Sequence, residues 1–146
     1  MSAPTPSQTV GPFYAIGLCR HPDDELDPDG IELAGRLLDG QGEPIWDGVV
    51  EVWDAARGLW GRSGTDADGR FRFRVRPDAD VLEAFVFARG LLRHQRTRIY
   101  LREVDDEVLR GLDPERRSTL LAWTESDRLR FDIRMQGDRA TVFFAH

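Results

Sequence analysis

Residues 70–75, Arg-Phe-Arg-Phe-Arg-Val, alternate without exception between charged and apolar side chains. A period of two puts Phe71, Phe73 and Val75 on one face and three arginines on the other, the pattern of a half-buried β-strand. The preceding Asp66-Ala67-Asp68-Gly69 supplies turn chemistry. Other segments follow the same rule. Ile31, Leu33 and Leu37-Leu38 open a first strand, closed by the turn cluster Asp39-Gly40-Gln41-Gly42, and Val49-Val50-Glu51-Val52-Trp53 reads as a second. Leu82 to Ala88 is a nearly continuous apolar run interrupted by Glu83, which predicts a strand buried on both faces. Glu83 is costly there unless an arginine pairs with it. Ile99-Tyr100-Leu101 continues the sheet.

Further on, Val108, Leu109 and Leu112 have helical spacing, predicting one short helix over residues 105–112 that Asp113-Pro114 ends. Leu129, Phe131, Ile133 and Met135 alternate with polar residues, and the turn Gly137-Asp138 leads to Thr141-Val142-Phe143-Phe144, predicting a terminal hairpin. About seven or eight short strands separated by turns predict an all-β fold, an antiparallel β-sandwich. Residues 31–146 would form this sandwich domain. Residues 1–30 read as an N-terminal arm: they hold Pro4, Pro6, Pro12, Pro22 and Pro28, which exclude a regular helix or inner strand. Yet Val10, Phe13, Tyr14, Ile16 and Leu18 are too apolar for a solvated tail, so the arm should lie over its own domain or a partner.

The length of 146 residues fits one domain. All 20 basic side chains are arginine against 26 acidic ones, a net charge of -6 that argues against nucleic-acid binding. No apolar run approaches the roughly 20 residues of a membrane span. The first residues lack a basic n-region and an apolar h-region, and Cys19 is the only cysteine, so a reducing cytoplasm is the expected location.

Self-contained chemistry is sparse. His21, His94 and His146 are far apart, as are Tyr14 and Tyr100, so no complete metal site is read in this chain. Cys19 beside Arg20 and His21 reads as a partly buried thiol rather than a nucleophile. The carboxylate pairs Asp23/Asp24 and Asp105/Asp106 lie in hydrophilic stretches and read as solvated. Trp46, Trp53, Trp60 and Trp123 read as core or interface aromatics, and Arg98 and Arg134 as sheet-face or interface ion-pair partners.

Several stretches in collinear order resemble one family. Thr5-Pro6-Ser7-Gln8-Thr9-Val10-Gly11-Pro12-Phe13-Tyr14, with Ile16-Gly17-Leu18, is similar to the N-terminal signature of the intradiol ring-cleaving dioxygenases. Gly35 to Pro44 and Val50 to Ala55 are similar to the first two core strands of that family. Phe87 to Leu92, Thr97 to Leu101, Phe131 to Gly137 and Thr141 to Phe144 complete the set. The resemblance implies a β-sandwich built into αβ units, in which a β subunit of the same fold holds Fe(III) through two tyrosines and two histidines. Dioxygen then cleaves an acidic catechol such as protocatechuate between its hydroxyls.

Within that family the chain resembles the iron-free α type. Counting back from Thr97 places Val81 and Glu83 where the His-x-His of the metal site would stand, and no tyrosine lies between Trp53 and Val81. The resemblance therefore implies no metal and no catalytic residue in this chain, a partner β subunit that carries the iron, and an aromatic acid held in a shared cavity. By position, Thr9, Gly11, Pro12 and Phe13 of the arm and Arg89 would line that cavity, the arginine meeting the substrate carboxylate. Arg89 as a structural ion pair and Phe13-Tyr14 as a plug in the core are the competing readings. Two connections, after Trp53 and before Val81, are short for the family. A noncatalytic sandwich binding an aromatic acid or a protein partner is the alternative function.

Overall fold

The computed structural model describes residues 3–11, 13–20 and 23–145. The elements in chain order are α1 (Tyr14–Leu18), β1 (Ile31–Leu38), β2 (Val49–Asp54), β3 (Leu59–Gly64), β4 (Arg70–Val75), β5 (Val81–Phe87), β6 (Gln95–Tyr100), α2 (Glu107–Arg110), α3 (Pro114–Ser118), β7 (Trp123–Glu125), β8 (Arg128–Arg130) and β9 (Ile133–Arg134). One sheet has the order β4-β1-β8-β7, with β9 also on β1; the other has the order β3-β2-β5-β6. The two form the sandwich that the alternating segments predict.

The alternation of β4 is realised side chain by side chain. Phe71, Phe73 and Val75 are buried while Arg70, Arg72 and Arg74 face solvent. Antiparallel pairing sets Leu33 opposite Phe73, and both enter a core with Val50, Val52, Leu82, Val86 and Ile133. Each such side chain contributes roughly 1.5–3 kcal/mol by leaving water.

The sheets depart from the sequence expectation in four places. First, β8 and β9 pair with β1 in parallel, so the first sheet is mixed. The expected single alternating strand over 129–136 is broken at Phe131-Asp132, where the Asp132 carboxylate takes the place of a backbone carbonyl and accepts from the Arg36 amide at 2.9 Å. Second, residues 141–144 add no ladder: Thr141 N donates to Arg134 O at 3.0 Å, and Phe144 N then donates to Arg96 O at 2.8 Å. Third, β5 is buried on one face only, because Leu82, Ala84 and Val86 point inward while Val81, Glu83, Phe85 and Phe87 are half-buried. Fourth, the described residues form three short helices rather than one.

The predicted helix shrinks to α2, and Asp113-Pro114 begins another helix. The Asp113 carboxylate accepts from Arg116 N at 3.0 Å with proline at the first helical position, a favoured start. Asp106 likewise caps α2 through Leu109 N at 3.0 Å and accepts from the Tyr100 hydroxyl at 2.8 Å, so it is not simply solvated. Asp24 also has a partner, Arg72, at 3.1 Å. Tyr100, Leu109, Leu120 and Val142 make a second, smaller core beneath these helices.

Gly35 shows why a β1 position must lack a side chain. A Cβ there would stand 1.7 Å from the carbonyl oxygen of Phe131, which crosses β1 between β8 and β9.

Candidate functional site

The arm returns to the body of the domain at α1. This helix has five residues and no side-chain cap, too short to persist by propensity alone. Two tethers hold it. The Tyr14 hydroxyl donates to the carbonyl oxygen of Asp47 at 2.5 Å and lies 2.9 Å from that of Phe87. Arg62 donates to Leu18 O at 3.2 Å while its other nitrogens grip Glu51 at 2.6 and 2.8 Å. Burial, reinforced by the Asp47 charge, pushes the Tyr14 phenol up to about 12, so it remains a neutral donor. Burial likewise pushes the Cys19 thiol up, in keeping with an inert, half-buried cysteine.

With Tyr14 and Cys19 turned toward the domain, the other apolar side chains of α1 and its approach face outward. Phe13 is 75% and Ile16 65% exposed. Phe13 is therefore no plug of the core, whereas Tyr14 is the anchor. Thr9 and Gly11 are exposed on the arm, and Pro12 lies outside the described residues.

Arg89 stands beside this anchor. Val49 pairs with Phe87 between β2 and β5, and the same antiparallel register, continued past the strand ends, sets Asp47 opposite Arg89. Arg89 Nε lies 2.9 Å from Asp47 Oδ2, an ion pair rather than an aligned hydrogen bond. The carboxylate is buried and the guanidinium half exposed, packed over the Trp46 ring at 5.5 Å. A left-handed Gly90 (φ 91°) turns the chain immediately after it. Trp46, Trp53 and Trp123 are all exposed, so none of the three is a core residue.

The structure thus gathers Tyr14, Asp47 and Arg89 at one corner, with Phe13 one residue from the anchor. Asp47 is the residue that sequence reading misses. It lies 42 positions from Arg89, and only the β2–β5 register brings the two together.

The second place of interest is the outer face of β5 and β6. Glu83 accepts from Arg98 Nε at 2.8 Å and from Arg96 Nε at 3.0 Å. The arginine partner expected for Glu83 is present twice. Arg98 also lies 3.4 Å from the Tyr100 hydroxyl. A carboxylate held by two guanidiniums beside the aliphatic Val81 is no donor set for iron, and among the described residues no three His, Cys, Asp or Glu side chains gather to hold a metal. These residues do not fit an iron ion. Among the described residues no helix is long and apolar enough to cross a membrane.

No protein-family model matches the chain. Curated relatives do. The protocatechuate 3,4-dioxygenase alpha chain of Burkholderia cepacia is 32% identical over 189 aligned positions, covering 96% of each chain. That of Pseudomonas putida is 34% identical over 194, covering 96% of this chain and 95% of the relative. Both alignments are longer than this chain, so the relatives carry insertions that it lacks. Here β2 and β3 meet through a tight turn, and β4 passes to β5 in five residues. Among solved structures, the dioxygenase domain of a carbohydrate-binding fusion from Streptomyces sp. SirexAA-E superposes with a TM-score of 0.55 at 19% identity, over 92% of this chain and 99% of that one. Hydroxyquinol 1,2-dioxygenase from Pseudomonas putida DLL-E4 gives 0.53 at 19% identity, over 77% and 59%. These likenesses establish the intradiol dioxygenase sandwich.

Proposed function

The chain belongs to the family of protocatechuate 3,4-dioxygenase alpha chains, and we propose that it is the noncatalytic alpha subunit of such an enzyme. In this reading it pairs in the cytoplasm with a beta subunit of the same fold, forming a hetero-oligomer of αβ units. The complex cleaves protocatechuate with O2 to 3-carboxy-cis,cis-muconate. The iron belongs to the beta subunit and would supply the Lewis-acid and redox chemistry of ring cleavage there.

The observation that carries the reading is the arm: pinned by Tyr14 to Asp47 and Phe87, it turns Phe13 and Ile16 outward with nothing of their own domain to cover them. A partner that buries them gains roughly 1.5–3 kcal/mol for each. Thr9, Gly11, Pro12 and Phe13 would wall the shared cavity.

Arg89 holds Asp47 through Nε, so its terminal nitrogens are the edge that a substrate carboxylate would meet. A fixed guanidinium orients an acidic catechol without moving protons, since arginine stays charged. Steady-state kinetics of the reconstituted complex test this. Arg89→Ala should lower kcat/KM for protocatechuate by about 10-fold or more and for unsubstituted catechol far less. Equal losses on both substrates would remove Arg89 from carboxylate recognition.

A further inference from the structure

Where the turn over residues 137–140 meets the end of α3, the surface holds a cleft of about 250 Å³. Arg134 on β9 and Arg139 in the turn line it together. Elsewhere the arginines of the sheet faces pair with carboxylates, as Arg62 does with Glu51 and Arg98 with Glu83. Arg134 and Arg139 pair with none among the described residues, so the ion pair expected of Arg134 is not formed. The lining has one acid, Asp132, and one of its oxygens already accepts from Arg36 N at 2.9 Å. Two guanidiniums against one engaged carboxylate leave the cleft net positive in a chain of net charge -6. A bound anion relieves like charges gathered in this way.

Backbone contacts fix the walls. Arg134 N donates to Thr141 Oγ1 at 3.0 Å, and Thr141 N donates to Arg134 O at 3.0 Å. Gly137, left-handed at φ 98°, and a bond from Ala140 N to Gly137 O at 3.0 Å close the turn that returns Arg139. Val142 N donates to Thr119 Oγ1 at 3.2 Å, which ties this segment to the end of α3. The hydroxyls of Ser118 and Thr119 are spent on Glu115 O at 2.6 Å and Arg116 O at 2.8 Å. Thr141 differs. It is 3% exposed, its oxygen is taken by Arg134 N, and among the described residues nothing accepts its proton. The cleft therefore offers one buried hydroxyl donor beside two guanidiniums.

The rest of the lining is apolar. Trp123, 48% exposed, stands there with Leu121 and the buried Phe131. A flat aromatic wall next to two cations and a hydroxyl matches a ligand with one ring and one carboxylate. The ring stacks on the indole while the guanidiniums take the carboxylate oxygens. A cleft of about 250 Å³ falls below the roughly 300–1,000 Å³ of sites for larger ligands, so a single ring sets the size. Inorganic phosphate would satisfy the arginines and leave the indole bare.

We propose that this cleft binds a small aromatic monocarboxylate, with its carboxylate between Arg134 and Arg139 and its ring on Trp123. This goes beyond the alpha-subunit reading and does not depend on it.

Titration of the 15N-labelled full chain with benzoate at fixed ionic strength, followed by NMR, tests the assignment. The Trp123 indole and Thr141 amide signals should move together and saturate with a Kd of about 0.1–1 mM. Benzamide has the shape without the charge, and inorganic phosphate the charge without the ring. Each should bind at least about 10-fold more weakly than benzoate. Arg139→Gln, in the exposed turn, should weaken benzoate by about 10-fold without changing the melting temperature. Trp123→Ala should weaken benzoate by about 5-fold and leave phosphate as it was. Arg93→Gln, an exposed arginine between β5 and β6, should change nothing. No saturation up to about 10 mM, benzamide or phosphate binding as tightly as benzoate, or benzoate binding indifferent to Arg139→Gln and Trp123→Ala would each overturn the proposal.

Discussion

Arg89 and Asp47 lie two residues beyond the paired ends of β5 and β2, and the antiparallel register carries them into an ion pair, Nε to Oδ2, at 2.9 Å. The carbonyl of the same Asp47 takes the Tyr14 hydroxyl at 2.5 Å. One buried aspartate thus fixes both the arginine and the root of the arm. A partner or substrate reading this corner meets a preset arrangement.

Because Asp47 is 7% exposed and Arg89 half exposed, Arg89→Ala strands a carboxylate that cannot fully rehydrate. The expected loss is about 1 kcal/mol, well below that of a fully buried pair because solvent screens the guanidinium. In a denaturant double-mutant cycle, Asp47→Asn combined with Arg89→Ala should cost less than the sum of the single changes. Additive losses would mean that the two side chains are not coupled.

Tyr14→Phe removes the anchor and keeps the ring. About 1 kcal/mol of stability should be lost in urea unfolding, since the Asp47 carbonyl loses its donor. The pH dependence has a definite sign. The folded phenol is raised to about 12 from 10.0, so its contribution is complete below about pH 10 and falls as pH rises from there toward 12. Ultraviolet titration should show Tyr14 ionising near 12, and Tyr14→Phe should flatten the decline in that window.

Gly35→Ala should be among the most damaging single changes. The added methyl meets the Phe131 carbonyl oxygen at 1.7 Å and the Phe71 ring at 2.8 Å, so the β8–β9 crossing must shift, at about 3 kcal/mol. Gly17→Ala is the control. It sits in α1 with nothing within 4 Å of the new methyl, and should be neutral or stabilising by up to about 1 kcal/mol. Thermal unfolding of both variants distinguishes these outcomes.

Period-two alternation made β4 legible at the level of single residues, since Arg70 to Val75 can satisfy only one arrangement of faces. Turn residues likewise delimited β1 and β2. Where a side chain stands in for backbone, the pattern misleads: Asp132 replaces a carbonyl on Arg36 N and breaks what reads as one strand. The run from Leu82 to Ala88 looked buried on both faces because Phe85 and Phe87 are apolar, yet they floor an open trough. At the candidate site Arg89 and Phe13 were reached by resemblance, while Asp47 was not. Its role comes from a strand register that no local window contains.

This chain should work only as one half of a complex. Co-expression with the cognate beta-type subunit, followed by iron analysis, optical spectroscopy and oxygen-uptake assays, tests it most directly. The expected result is a stable complex with a visible tyrosinate-to-iron band and protocatechuate-dependent oxygen uptake, with this chain alone colourless and inactive. A beta-type subunit that is iron-loaded and fully active by itself, or that never binds this chain, would contradict it.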